Sequence, residues 1–117
     1  MARVSNQASI SDILDFLAEA KMLLSNGKFD FIPREKNMQS LAKRGLTIID
    51  VKDEILGLSA KDYYKGPKQD FDLNRPGDIW EFKKNIDEIQ FYLKFKIVQE
   101  NGTNILKCLG FHEDDFS

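Results

Sequence analysis

The sequence predicts an α+β domain in which short helices come first and pack on one face of a three-stranded antiparallel sheet. Three observations carry this. Apolar residues recur at helical spacing through the first half of the chain, and after Asp78 the apolar period shortens to two. Asn101-Gly102 then stands between two alternating runs, a strong signal for a tight hairpin. With 117 residues, 42% of them hydrophobic, there is material for one core and one domain spanning 1–117.

The first eight residues carry no pattern and are expected to be disordered. The first helix follows, with Ile10, Ile13, Leu14, Leu17, Ala20 and Leu24 forming a stripe that Phe16 and Leu23 widen. Ser9 with Asp12 three residues on has the form of a capping box, and Gly27 is a natural stop. Phe29, Phe31 and Ile32 make a brief extended edge segment before Pro33. A second helix is expected over about Arg34 to Arg44, with Met38, Leu41 and Ala42 inward and Gly45 ending it. Thr47 and Asp50 cap a third, whose stripe is Val51, Ile55 and Leu56 and whose stop is Gly57. Ser59 to Lys65 repeats the device in miniature, so helices are expected over about 10–65. Gly66-Pro67, the polar run from Lys68 and the pair Pro76-Gly77 predict a loop over 66–78.

The sheet is predicted over 79–112 as an antiparallel meander. Its strands are Ile79 to Phe82, Ile89 to Val98 and Ile105 to Phe111, joined by Lys83 to Glu88 and Gln99 to Asn104. In the second strand Phe91, Leu93, Phe95 and Ile97 point to the core, which turns Tyr92, Lys94 and Lys96 to the open face. With Trp80 and Phe82 inward, Glu81 shares that face. In the third strand inward Leu109 and Phe111 leave His112 outward. Leu106 and Cys108 then share the outer face, unless Gly110 marks a bulge that resets the alternation. Taken singly, Cys108 and Trp80 read as ordinary core residues. Glu113, Asp114 and Asp115 read as a solvated acidic tail over 113–117.

Composition narrows the chemistry. One cysteine and one histidine write neither a disulfide framework nor a zinc site of ordinary spacing, so no metal and no cofactor are expected. No segment has the apolar length of a signal peptide or a membrane span, and a cytoplasmic protein is expected. The net charge of -2 argues against bulk coating of nucleic acid, but residues 21–44 hold six cations against Asp30 and Glu35.

An open face with Glu81, Tyr92, Lys94, Lys96 and His112 has the groups that metal-free RNA cleavage needs. A carboxylate and an imidazole can share the roles of base for the 2′-hydroxyl and acid for the leaving 5′-oxygen, while lysines steady the charge on phosphate and bind the strand. Such a reaction selects RNA, because DNA lacks the attacking group.

Several short stretches carry a resemblance in order and spacing over about two thirds of the chain. They are Phe31-Ile32-Pro33-Arg34, Lys36-Asn37-Met38-Gln39, Leu46-Thr47-Ile48, Gly57-Leu58-Ser59 and Asp62-Tyr63-Tyr64-Lys65. Arg75-Pro76-Gly77-Asp78-Ile79-Trp80, Tyr92-Leu93-Lys94 and Phe111-His112 complete the series. This series resembles the MqsR family of toxin–antitoxin ribonucleases, whose fold is related to that of RelE toxins. The resemblance implies cleavage of messenger RNA without a metal, restrained by a cognate antitoxin protein. It implies catalytic roles for Lys65 and Tyr92. Glu81 and His112 stand where the family pattern has Gln and Lys, which puts a carboxylate and an imidazole at proton-transfer positions, and the pI of about 5.4 is lower than such a toxin would have. Two other classes fit the same fold: a non-catalytic RNA-binding module and a protein-interaction domain.

Overall fold

A computed structural model describes residues 7–70 and 77–114. In chain order the elements are α1 (Ile10–Ser25), β1 (Phe29–Phe31), α2 (Glu35–Arg44), α3 (Ile48–Leu56), β2 (Tyr63–Gln69), β3 (Asp78–Ile86), β4 (Ile89–Glu100) and β5 (Thr103–Glu113). The class is α+β, but the sheet has five strands in the order β1-β5-β4-β3-β2 and is mixed. This corrects the expected three-stranded antiparallel meander. β3, β4 and β5 do form that meander, while β1 adds to β5 in parallel and β2 adds to β3 antiparallel.

Both additions were hard to read locally. β1 is three residues long, and its partners Leu106, Lys107 and Cys108 lie far along the chain. β2 contains Gly66-Pro67, which reads as a stop. The pair falls inside a register break between Lys65 and Lys68 on an edge strand, where the missing proline N–H costs no ladder bond. Gly66, at φ +121, lies so close to β3 that a Cβ would stand 2.6 Å from the Ile79 carbonyl oxygen. The helical stretch therefore ends at a single 3-10 turn, Ala60–Asp62, and not at Lys65, and the expected loop over 66–78 is strand through Gln69 and again from Asp78. Of that loop, residues 71–76 lie outside the described residues.

Thr47 and Asp50 cap α3 reciprocally as read, while at α1 Ser9 Oγ accepts the Asp12 N–H at 3.1 Å, the N-cap half of the expected box. The inward faces are shifted from the expected ones. α1 buries Ile13, Phe16, Leu17, Ala20, Leu23 and Leu24, leaving Ile10 and Leu14 exposed. α3 buries Val51 and Ile55 but exposes Leu56, and α2 buries Leu41 but exposes Met38 and Ala42. No helix among the described residues is long and apolar enough to cross a membrane. The terminal expectations change too. Ala8 packs against the core and donates its N–H to Tyr63 Oη at 3.1 Å, while residues 1–6 lie outside the described residues. Glu113 ends β5 and Asp114 is buried, so neither belongs to a solvated tail; Asp115 lies outside the described residues.

α2 is displaced from the expected face because it serves the edge of β5. β1 covers β5 only as far as Cys108, and beyond it Asn37 and Ser40 satisfy the ladder groups. Asn37 Nδ2 donates to the Ile32 and Leu109 carbonyls at 2.9 and 3.0 Å, and its Oδ1 accepts the Phe111 N–H at 2.9 Å. Ser40 Oγ accepts the Glu113 N–H at 3.1 Å. Asn37→Ala should cost about 3 kcal/mol in urea unfolding, because it strands buried backbone groups that are each worth roughly 1 to 3 kcal/mol when unpaired. A cost below about 1 kcal/mol would mean that water takes over the role.

The core is one cluster in which Phe82, Phe91, Leu93, Phe95, Leu106, Cys108 and Phe111 of the sheet meet α1, α3 and Leu41. Cys108 pairs with Phe95 and Gly110 with Lys94, so Leu109 is an extra residue in β5. That bulge puts Leu106 and Cys108 on the core face along with Phe111, correcting their placement outside. Leu109 is buried but stands outside the core cluster. Burial pushes the Cys108 thiol well above its ordinary pKa, so it is an inert core group.

Candidate active site

Four adjacent strands present the site. Cα partners across the sheet fix the face: Lys65 is opposite Glu81, Glu81 opposite Lys94, Lys83 opposite Tyr92, and Tyr92 opposite His112. Directly paired residues share a face, so all of these project away from the core. Together Lys36, Tyr64, Lys65, Glu81, Lys83, Tyr92, His112 and Asp114 line a cleft of about 330 Å³. The expected Lys65, Glu81, Tyr92 and His112 are thus brought into one place.

Their roles differ in exposure. Glu81 is buried, with 3% of its surface exposed, and both carboxylate oxygens are engaged. Oε1 accepts the Tyr92 hydroxyl at 2.8 Å and Oε2 pairs with Lys68 Nζ at 2.5 Å. Burial first, and the bond to Glu81 second, push the Tyr92 phenol well above its ordinary value. Tyr92 therefore holds its proton at neutral pH and points it at Glu81. The Tyr92 ring lies 5.3 Å from the His112 ring, and His112 Nδ1 sits 2.9 Å from the Glu113 carbonyl oxygen. That contact assigns the Nδ1 proton and leaves Nε2 as the position that exchanges protons. Gly110 makes room for the arrangement, since a Cβ there would lie 3.1 Å from Lys94 Cβ and 3.5 Å from Tyr92 Cε2.

Cations surround these groups. Lys83 Nζ pairs with Asp114 at 2.9 Å, a bond that raises its pKa, and stands 4.1 Å from the Tyr64 ring centre. Lys65 Nζ lies 5.0 Å from the same ring. Burial first, and the charge of Arg34 second, lower the Lys94 pKa against the opposing pull of Glu81 and Asp70. Lys96 is the exception. It was expected on the open face as an RNA contact, but it is 6% exposed and bound to Asp70 at 2.6 Å. Gly77, just before β3, runs beside this stretch of β4, where a Cβ would stand 3.3 Å from Lys96 Cδ.

Sequence reasoning missed Lys68, Lys83, Tyr64, Lys36 and Asp114. Lys83 had a signal, since alternation carried two residues past Glu81 reaches it. Lys68 and Asp114 had none, because the one was read as loop and the other as tail. A larger hollow of about 590 Å³ opens on the helix-bearing side, where Asp12, Asp15, Glu19 and Asp78 ring Phe16 and Trp80. Its acidic rim would repel phosphate, whereas the smaller cleft sets Lys36, Lys65 and Lys83 beside Glu81 and Asp114. Among the described residues no group of three or more His, Cys, Asp or Glu is placed to hold a metal ion. No protein-family model matches the chain, and no curated protein matches it.

Proposed function

We propose that this chain is an endoribonuclease of the MqsR–RelE kind, cutting messenger RNA by attack of the 2′-hydroxyl and restrained by a protein antitoxin. The observation that carries the reading is the convergence of Lys65, Glu81, Tyr92 and His112 from four strands on one cation-lined cleft.

The chemistry follows from the geometry. As the 2′-oxygen bonds to phosphorus, its proton passes to Tyr92 Oη, and the Tyr92 proton moves along its 2.8 Å hydrogen bond to Glu81 Oε1. The bond from phosphorus to the 5′-oxygen breaks, and that oxygen takes a proton from Nε2 of a protonated His112. Lys65 meets the charge growing on the phosphate, with Lys36 and Lys83 near the same cleft. Glu81 is the final proton acceptor in this scheme and acts through Tyr92, which stands between it and the strand. The acidic overall balance is no obstacle, because the cleft and its rim hold more cations than carboxylates.

The test is incubation of purified protein with end-labelled RNA in EDTA, followed by mapping of the ends. Cutting should persist and leave a 2′,3′-cyclic phosphate or its hydrolysed form, and 2′-deoxy substitution at the cut should stop it. Ends carrying a 5′-phosphate, or activity lost in EDTA and restored by one particular metal, would overturn the mechanism. Firm RNA binding with no cutting would make the chain a non-catalytic RNA-binding module. The antitoxin is tested separately by co-purification from the native operon, where a lone, harmless protein counts against it.

A further inference from the structure

We infer that the RNA strand continues past His112 into a second cleft along α2, which holds the nucleotide on the 3′ side of the cut. The inference rests on the ribonuclease reading above. This cleft, of about 180 Å³, is lined by Lys36, Gln39, Ser40, Lys43, His112 and Glu113, and it shares Lys36 and His112 with the reaction cleft. His112 is the wall between the two. Tyr92, which takes the 2′-proton, lies on one side of that wall. The leaving 5′-oxygen protonated by His112 therefore belongs to a nucleotide on the other.

The helix is built for such a strand. Lys36, Gln39, Ser40 and Lys43 recur at i, i+3, i+4 and i+7, so they share one face and span about 10 Å at 1.5 Å per residue. Ser40 is bound to the Glu113 N–H and forms the floor. Glu113 would oppose a phosphate, but Arg44 Nε takes its Oε2 at 2.8 Å and holds its carboxyl below the usual range. Lys43 Nζ pairs with Glu113 Oε1 at 3.6 Å, but its side chain is 66% exposed, so a phosphate oxygen can reach its ammonium from the solvent side. Among the described residues Gln39 bonds to Glu35 one turn back, an exposed contact at 3.1 Å that a base edge can replace.

The test uses fluorescence anisotropy with the full chain and an RNA oligonucleotide blocked by 2′-deoxy substitution at the mapped cut. A second probe ends at the cut, and cleavage of the unblocked RNA is followed in parallel. Lys43→Ala should weaken binding of the long probe several-fold and lower the slope of log affinity against log salt by about 0.7, the increment for one contact on a single strand. Binding of the truncated probe should not change. In cleavage, KM should rise with kcat nearly constant, and Gln39→Ala should relax the preference for the base 3′ of the cut. Equal binding of the long probe by wild type and Lys43→Ala sinks the second cleft and leaves the ribonuclease reading standing. If the wild type cuts nothing, anisotropy is run with the unmodified oligonucleotide, and Lys43-dependent binding of it upholds the cleft as an RNA track while the catalytic reading fails.

Discussion

His112→Ala should lower RNA cleavage by about 10² to 10⁴-fold, the usual worth of a general acid, while the melting temperature hardly moves. The imidazole is half-buried and touches the Tyr92 ring and one backbone oxygen, so its removal opens no core cavity. Lys65→Ala should fall in the same range if its ammonium meets the phosphate, and it too lies outside the core cluster. Single-turnover cleavage beside thermal melting separates the effects. If folded His112→Ala stays fully active, the imidazole is decoration and proton transfer shifts to Tyr92 and the lysines around it. Tyr92→Phe is the companion variant, since it removes the hydroxyl bonded to Glu81 and keeps the ring.

Phe95→Ala should destabilise the fold by about 3 to 5 kcal/mol, measured by urea unfolding. Its ring is 1% exposed, lies opposite Trp80 on β3 and Cys108 on β5, and stands 6.0 Å from the Phe82 ring. Small domains have only about 5 to 15 kcal/mol in hand, so the variant approaches the limit of folding. A cost near 1 kcal/mol would show that α1 and the neighbouring rings collapse into the space.

The site was legible where alternation runs through one strand. Phe91, Leu93 and Phe95 are core, so Tyr92 and Lys94 had to face away, and Glu81 followed once Trp80 and Phe82 were placed. The same alternation failed at Lys96, because facing away from the core is not the same as facing water. Asp70 pairs with that lysine from 26 positions away in the chain. His112 was placed on the correct face, but its neighbours Leu106 and Cys108 were not, since the reset depended on whether Gly110 marked a bulge. The second turn of the meander was also hidden. Asp87 and Glu88 both adopt positive φ, which matches a two-residue hairpin loop, yet Glu88 is not a residue that advertises one.

By itself the sequence determined the helix starts, the Asn101-Gly102 hairpin, the α+β class and the face of β4 that carries Tyr92. Each of these rests on residues a few positions apart, where propensity, capping and side-chain direction act before any tertiary contact exists. The parallel seat of β1 on β5, the edge strand β2 and the use of Asn37 to close the β5 edge were decided only by the tertiary structure. The two Asn37 bonds to β5 span 72 and 74 residues. Backbone groups left over after local structure forms must find partners wherever the chain brings them, and a local pattern holds no record of which partner that is.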